Sequence, residues 1–170
     1  MHWKRLLVPV DFSVCSEGAI TLAVQFAREF DATLDLLHVA EAPLSLPAQD
    51  LARVEGVAEP VPLADYVGHD VTKKLEAAAE RLRQHGVAVT TTVAIGDIAD
   101  TIIDEAEVRQ VDAIVIGTHG RTGLVHLLLG SVAEKVVRGS SVPVVTVRSS
   151  DKEVDQPEEV PALVEAPAGA

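Results

Sequence analysis

Four glycines stand at positions 117, 120, 123 and 130 of the stretch Gly117-Thr118-His119-Gly120-Arg121-Thr122-Gly123, which runs on through residues 124–129 to Gly130-Ser131. Glycine admits positive φ and lets backbone approach a ligand closely. Successive backbone N–H groups in such a loop form an anion-binding concavity. A helix opening near Ser131 adds unpaired N–H groups and the positive end of its dipole. The chemistry available is therefore phosphate binding without a lysine. Arg121 is the one Lys or Arg inside the loop, and Lys135 and Arg138 follow along the helix. The P-loop pattern of glycines followed by Lys-Ser/Thr is absent. A plainer reading competes: Ser131-Val132-Ala133-Glu134 is also a capping box, and Gly117 and Gly120 would then only shape a turn.

A second segment, Val8-Pro9-Val10-Asp11, ends an apolar run in a carboxylate. Asp11 could meet a ligand hydroxyl or simply cap the helix that follows. His119 is the one candidate general base in the glycine loop. Two histidines, His119 and His126, make a weak metal signal and read as a solvated pair. Cys15 reads as a small buried hydrophobe and His38 as a structural residue inside a strand.

These segments need elements to hold them. Apolar runs at residues 6–10, 33–39, 87–95, 113–116 and 142–147 read as strands. Helical spacing appears at 15–30 (Ile20, Ala23, Val24, Ala27, Phe30) and at 71–84 (Leu75, Ala78, Ala79, Leu82), where Gly86 follows as a stop. It appears again from Ile98 to about 109 (Ile98, Ile102, Ala106), with Asp97 as the cap, and from Ser131 to Gly139 (Val132, Val136, Val137). Strands alternating with helices predict an α/β fold, an open twisted five-stranded parallel sheet with helices on both faces, Rossmann-like. In such sheets ligands sit at the carboxyl ends of the strands where strand order reverses. Pro143 predicts that the last strand is an edge, since proline cannot donate to a ladder. Residues 41–66 lose periodicity among prolines, with a short helix expected near 49–54. Residues 149–170 read as a disordered acidic tail, so the expected domain spans 1–148.

Composition narrows the function. A chain of 170 residues suits one domain. A net charge of −12 and 3% aromatics argue against nucleic acid and anionic membranes as partners. An anionic small ligand must be held by local donors. One cysteine rules out an internal disulfide and suits a reducing cytoplasm. No segment approaches the ~20 apolar residues of a membrane span, and the N-terminal apolar run, broken by Pro9 and Asp11, does not read as a secretory leader.

The spacing Gly117, two residues, Gly120, nine residues, Gly130-Ser131 resembles the nucleotide-binding signature of the universal stress protein superfamily. The opening Val8-Pro9-Val10-Asp11, the pair Gly96-Asp97 and the ending from Val142 to Arg148 are similar to it as well, so the likeness covers about residues 4–148. The resemblance implies the ATP-binding branch, with an adenine nucleotide alpha hydrolase-like fold. It implies that Asp11 bonds the ribose, Pro9 lines the base pocket and Val39 offers backbone to the adenine edge. Gly117 would pack on ribose and phosphates, while Gly120, Arg121, Gly130, Ser131 and Val132 hold phosphates, bridged by Mg or Mn whose other ligands are mostly water. It also implies a homodimer through the final strand. Two functions stay open: a nucleotide-binding stress-response or regulatory protein with at most slow hydrolysis, and an ATP-hydrolysing or transfer enzyme. Another adenine nucleotide in place of ATP is a third possibility.

Overall fold

The computed structural model describes residues 2–41, 51–52, 61–118 and 129–148. The elements run β1 (Arg5–Pro9), α1 (Val14–Phe30), β2 (Thr33–Ala40), β3 (Leu51–Ala52), β4 (Val61–Pro62), α2 (Leu63–Gln84), β5 (Val89–Ile95), α3 (Ile98–Val108), β6 (Ala113–Gly117), α4 (Ser131–Gly139) and β7 (Val144–Val147). Five strands form one parallel sheet in the order β5-β2-β1-β6-β7, the fold expected from the pattern, and β3 and β4 form a separate antiparallel pair.

Strand side chains alternate between two cores. Leu6, Val8, Leu34, Leu36 and Val115 pack with α1 and α2, while Leu7, Leu37, Val39, Ile114 and Ile116 pack with α3 and α4. Burial on both faces is why residues 6–8 of β1 and 113–116 of β6 read as uninterrupted apolar stretches. The buried carboxylate of Asp35 is paired, as burial of a charge demands: Arg5 Nε donates to it at 2.5 Å and the Thr90 hydroxyl donates as well. Trp3 meets Phe26 and Phe30 edge-on, both at 5.4 Å between ring centres, and the three half-buried rings pack against the core on the α1 side.

Several boundaries differ from expectation. Residues 51–52 lie in β3, not in the short helix expected near 49–54. Helix α2 starts at Leu63 rather than at 71; Gly68 and β-branched Val67 weaken helix propensity there and blur the apolar period. Val137 is 46% exposed, and Ala133 takes its place beside Val136 in the core. Adjacent helical positions are about 100° apart, so Val136 and Val137 do not share a face. The last strand begins at Val144, after Pro143, whose carbonyl accepts from Ile114 N–H at 2.9 Å. It is an edge strand, paired with β6 alone.

Candidate functional site

The chain builds outward from β1 through β2 to β5, then returns to place β6 on the other side of β1. The strand order therefore reverses between β1 and β6. At the carboxyl ends of these strands lies a cavity of about 550 Å³, within the ~300–1,000 Å³ range of small-molecule sites. Pro9, Asp11, Val39, Gly117, Gly130, Ser131 and Val132 line it together. Gly120 and Arg121, with His119 and His126, lie outside the described residues.

Two helices open onto the cavity from opposite faces of the sheet. At the start of α1, Ser13 is the N-cap and its hydroxyl accepts Ser16 N–H at 3.3 Å. Asp11 braces that cap by accepting Ser13 N–H at 3.0 Å and the Ser13 hydroxyl at 2.6 Å. Asp11 thus supports a cap rather than being one. Between them Phe12 has φ 62°, a left-handed conformation uncommon outside glycine.

At the start of α4 the N-cap is Gly130, and among the described residues no side chain caps the first turn. The capping box of the plainer reading does not form: Ser131 is already the first helical residue. Gly130 is fixed from behind, because its N–H donates to the Thr118 carbonyl at 2.7 Å, and Thr118 N–H donates to the Val147 carbonyl at 2.8 Å. These bonds join the two stems of the glycine loop and aim the helix start at the cavity.

Gly117 serves packing. A Cβ there would lie 2.8 Å from the Cys15 carbonyl carbon and 2.9 Å from its oxygen, so only glycine lets α1 sit against the end of β6. Cys15 itself is buried.

Sequence reasoning overlooked Val10, Ser16, Ala40, Glu41, Ile98, Ile102 and Thr118, which also line the cavity. Four are aliphatic, two of them in the core, and carry no local signal; only their places at strand ends and helix starts could have suggested them. The start of α3 borders the cavity through Ile98 and is capped as expected: Asp97 accepts the N–H groups of Ala99 and Asp100 at 3.1 and 3.2 Å. Those bonds, the Asp100 amide first, and Lys135 Nζ at 3.8 Å hold the Asp97 carboxyl below the usual carboxylate range. Lys135 so ties the starts of α3 and α4. Among the described residues no three His, Cys, Asp or Glu side chains converge as metal ligands, and no helix is long and apolar enough to cross a membrane.

The sequence profile of the universal stress protein family matches residues 2–148. Universal stress protein MJ0531 of Methanocaldococcus jannaschii is 35% identical, over 89% of this chain and 85% of its own length. Universal stress protein YxiE of Bacillus subtilis is 34% identical, over 86% of this chain and 99% of its own. Among solved structures, UspA of Lactobacillus plantarum superposes with a TM-score of 0.63 at 26% identity, covering 87% of this chain and 99% of that one. Two others share the fold at lower identity. A universal stress protein in complex with cAMP has a TM-score of 0.64 at 21% identity, over 88% of this chain and 100% of that one. A universal stress protein of Archaeoglobus fulgidus in complex with dAMP has a TM-score of 0.59 at 22% identity, over 86% and 99%.

Proposed function

The chain belongs to the universal stress protein family, and we propose that it works as a stress-response protein by binding ATP, or a closely related adenine nucleotide, in the cavity between β1 and β6. The observation that carries this reading is the start of α4. Among the described residues no side chain caps its first turn, which opens on a cavity of nucleotide size at the point where strand order reverses. The orphan N–H groups of such a turn, with the helix dipole behind them, are a phosphate site.

In this reading the base lies toward Pro9 and Val39, the ribose near Asp11, and the phosphates over Gly130, Ser131 and Val132; Gly120 and Arg121, which lie outside the described residues, are proposed as further phosphate ligands. Two neighbours of the same fold are solved with cAMP and dAMP, so this fold accommodates an adenine nucleotide. The residues present fit the group: an aliphatic wall of Leu37, Ile98, Ile102 and Ile116 suits the base and an uncapped helix suits the phosphates. A bound Mg or Mn ion would neutralise phosphate charge.

Hydrolysis is slow or absent in this reading, because phosphoryl transfer needs strong charge neutralisation and a positioned nucleophile. The chain acts in the cytoplasm, in keeping with its single thiol, and pairs as a homodimer along β7, an apolar edge open to a second copy. Residues 149–170 are dispensable for nucleotide binding.

The test is mass spectrometry of ligand released from the purified protein, together with thermal melting in Mg-ATP. Binding raises the melting temperature by mass action. No shift at millimolar ATP and no co-purified nucleotide would refute it.

A further inference from the structure

We infer that His38 is a positioning residue, which ends the β1–β2 ladder early and leaves the backbone groups of Val39 available to the ligand's base; this rests on the nucleotide reading above. Along β2, alternate residues serve alternate neighbours. Thr33 N–H donates to the Lys4 carbonyl at 2.9 Å and the Leu37 carbonyl accepts Val10 N–H at 2.8 Å, both toward β1. Leu34 N–H donates to the Ala88 carbonyl at 2.9 Å and the Ala40 carbonyl accepts Gly96 N–H at 3.1 Å, both toward β5. By this alternation Val39 directs its N–H and its carbonyl toward β1.

The next rung of a continued ladder would be Val39 N–H to the Val10 carbonyl. It does not form: the β1–β2 register stops at Pro9 opposite Leu37. The Val10 carbonyl instead takes Nδ1 of His38 at 2.7 Å. A carbonyl only accepts, so Nδ1 carries the proton. Phe12 backs the ring, 5.3 Å away and tilted by 31°, from its left-handed backbone position.

One side chain therefore does two things. It satisfies the carbonyl that precedes Asp11, which fixes the loop carrying that carboxylate. It also keeps Val39 N–H from closing onto Val10, so a donor and an acceptor of one strand residue stay at the cavity wall. An adenine edge offers a ring-nitrogen acceptor beside the exocyclic amine, the complement of that pair. His38 would thus set the contribution of the amine to affinity without touching the base with its ring.

The experiment uses the full chain. In nucleotide-free protein, ¹⁵N spectra should show His38 protonated at Nδ1; a proton at Nε2 alone would overturn the inference. His38→Val removes the donor, so Val39 N–H should pair with Val10 and exchange at least about tenfold more slowly than in the wild type. His38→Asn restores an N–H near the Nδ1 position and should leave that exchange rate as it was. For binding, His38→Val should cost about tenfold in ATP affinity, the scale of one hydrogen bond. It should also abolish the preference for ATP over the purine ribonucleoside triphosphate lacking the amine, and His38→Asn should restore both. Unchanged Val39 exchange in His38→Val, or an unchanged amine preference, would overturn the inference. If the wild type binds no adenine nucleotide, the nucleotide reading fails, and with it the ligand half of this inference, while the exchange rates still decide the ladder.

Discussion

Helices α1 and α4 both open onto the cavity, from opposite faces of the sheet, yet their first turns are finished differently. The α1 turn is closed by its own chain: Ser13 caps it and Asp11 braces the cap. The α4 turn begins at a glycine whose N–H is spent on the Thr118 carbonyl behind it, and among the described residues no side chain caps the amides ahead. A glycine cap costs only a few tenths of a kcal/mol relative to serine. A glycine at this position therefore costs the fold little stability, whatever the first turn of α4 binds. At this cavity the α1 start holds a loop, and the α4 start is the one proposed to receive charge.

The largest expected effect breaks the comparison on the side of packing. Gly117→Ala, and Gly117→Val still more, should destabilise the protein by about 3 kcal/mol, the upper range for overpacking, because the new Cβ meets the Cys15 backbone. Urea unfolding without nucleotide should show the whole loss. Unchanged stability in the absence of ligand would mean that Gly117 is reserved for the ligand instead.

Closing the open turn comes next. Gly130→Asp supplies a cap at φ −70° and ψ 155°, a conformation any residue adopts. It should leave stability equal or slightly higher and weaken ATP by roughly 1.4 kcal/mol or more, tenfold. Calorimetric titration beside thermal melting separates the two effects. Undiminished affinity would move the phosphates elsewhere.

Asp11→Ala removes the brace and the proposed ribose contact together. ATP affinity should fall by about 1–3 kcal/mol, the scale of a hydrogen bond to a charged group, while the unfolding midpoint moves little. If only the midpoint moves, Asp11 is a brace for Ser13 and nothing more.

Much of this was legible in the residues, and the parts that were not share a cause. Pro143 announces an edge strand through its missing N–H, and Asp97 announces a cap through its short carboxylate. Both act within a few residues of themselves. Ser131-Val132-Ala133-Glu134 misleads because its pattern is local while the cap is chosen at a distance, by the Thr118 carbonyl holding Gly130. Gly117 signals close approach but not what approaches, since Cys15 comes from the other helix. His38 looks like a strand interior residue until the register sets it beside Val10. Residues 119–128, which hold Gly120 and Arg121, lie outside the described part of the site.

The smallest effect concerns the third helix start. Asp97 has its carboxyl pKa lowered by the Asp100 amide and by Lys135. A depressed folded pKa contributes stability above the unfolded value, which is lost as pH falls through the folded one. Asp97→Asn should therefore flatten the decline of melting temperature below about pH 4, the unperturbed carboxylate range. An identical acid profile would remove Asp97 from the acid response.

The central claim is that the uncapped start of α4 receives the phosphates. Backbone amide NMR of Ser131, Val132 and Ala133, titrated in parallel with Mg-ATP and with adenosine, addresses it directly. The three amides should shift with Mg-ATP and stay in place with adenosine, while the capped Ser16 amide of α1 changes little with either. Shifts centred on α1, or equal responses to both compounds at α4, would contradict it.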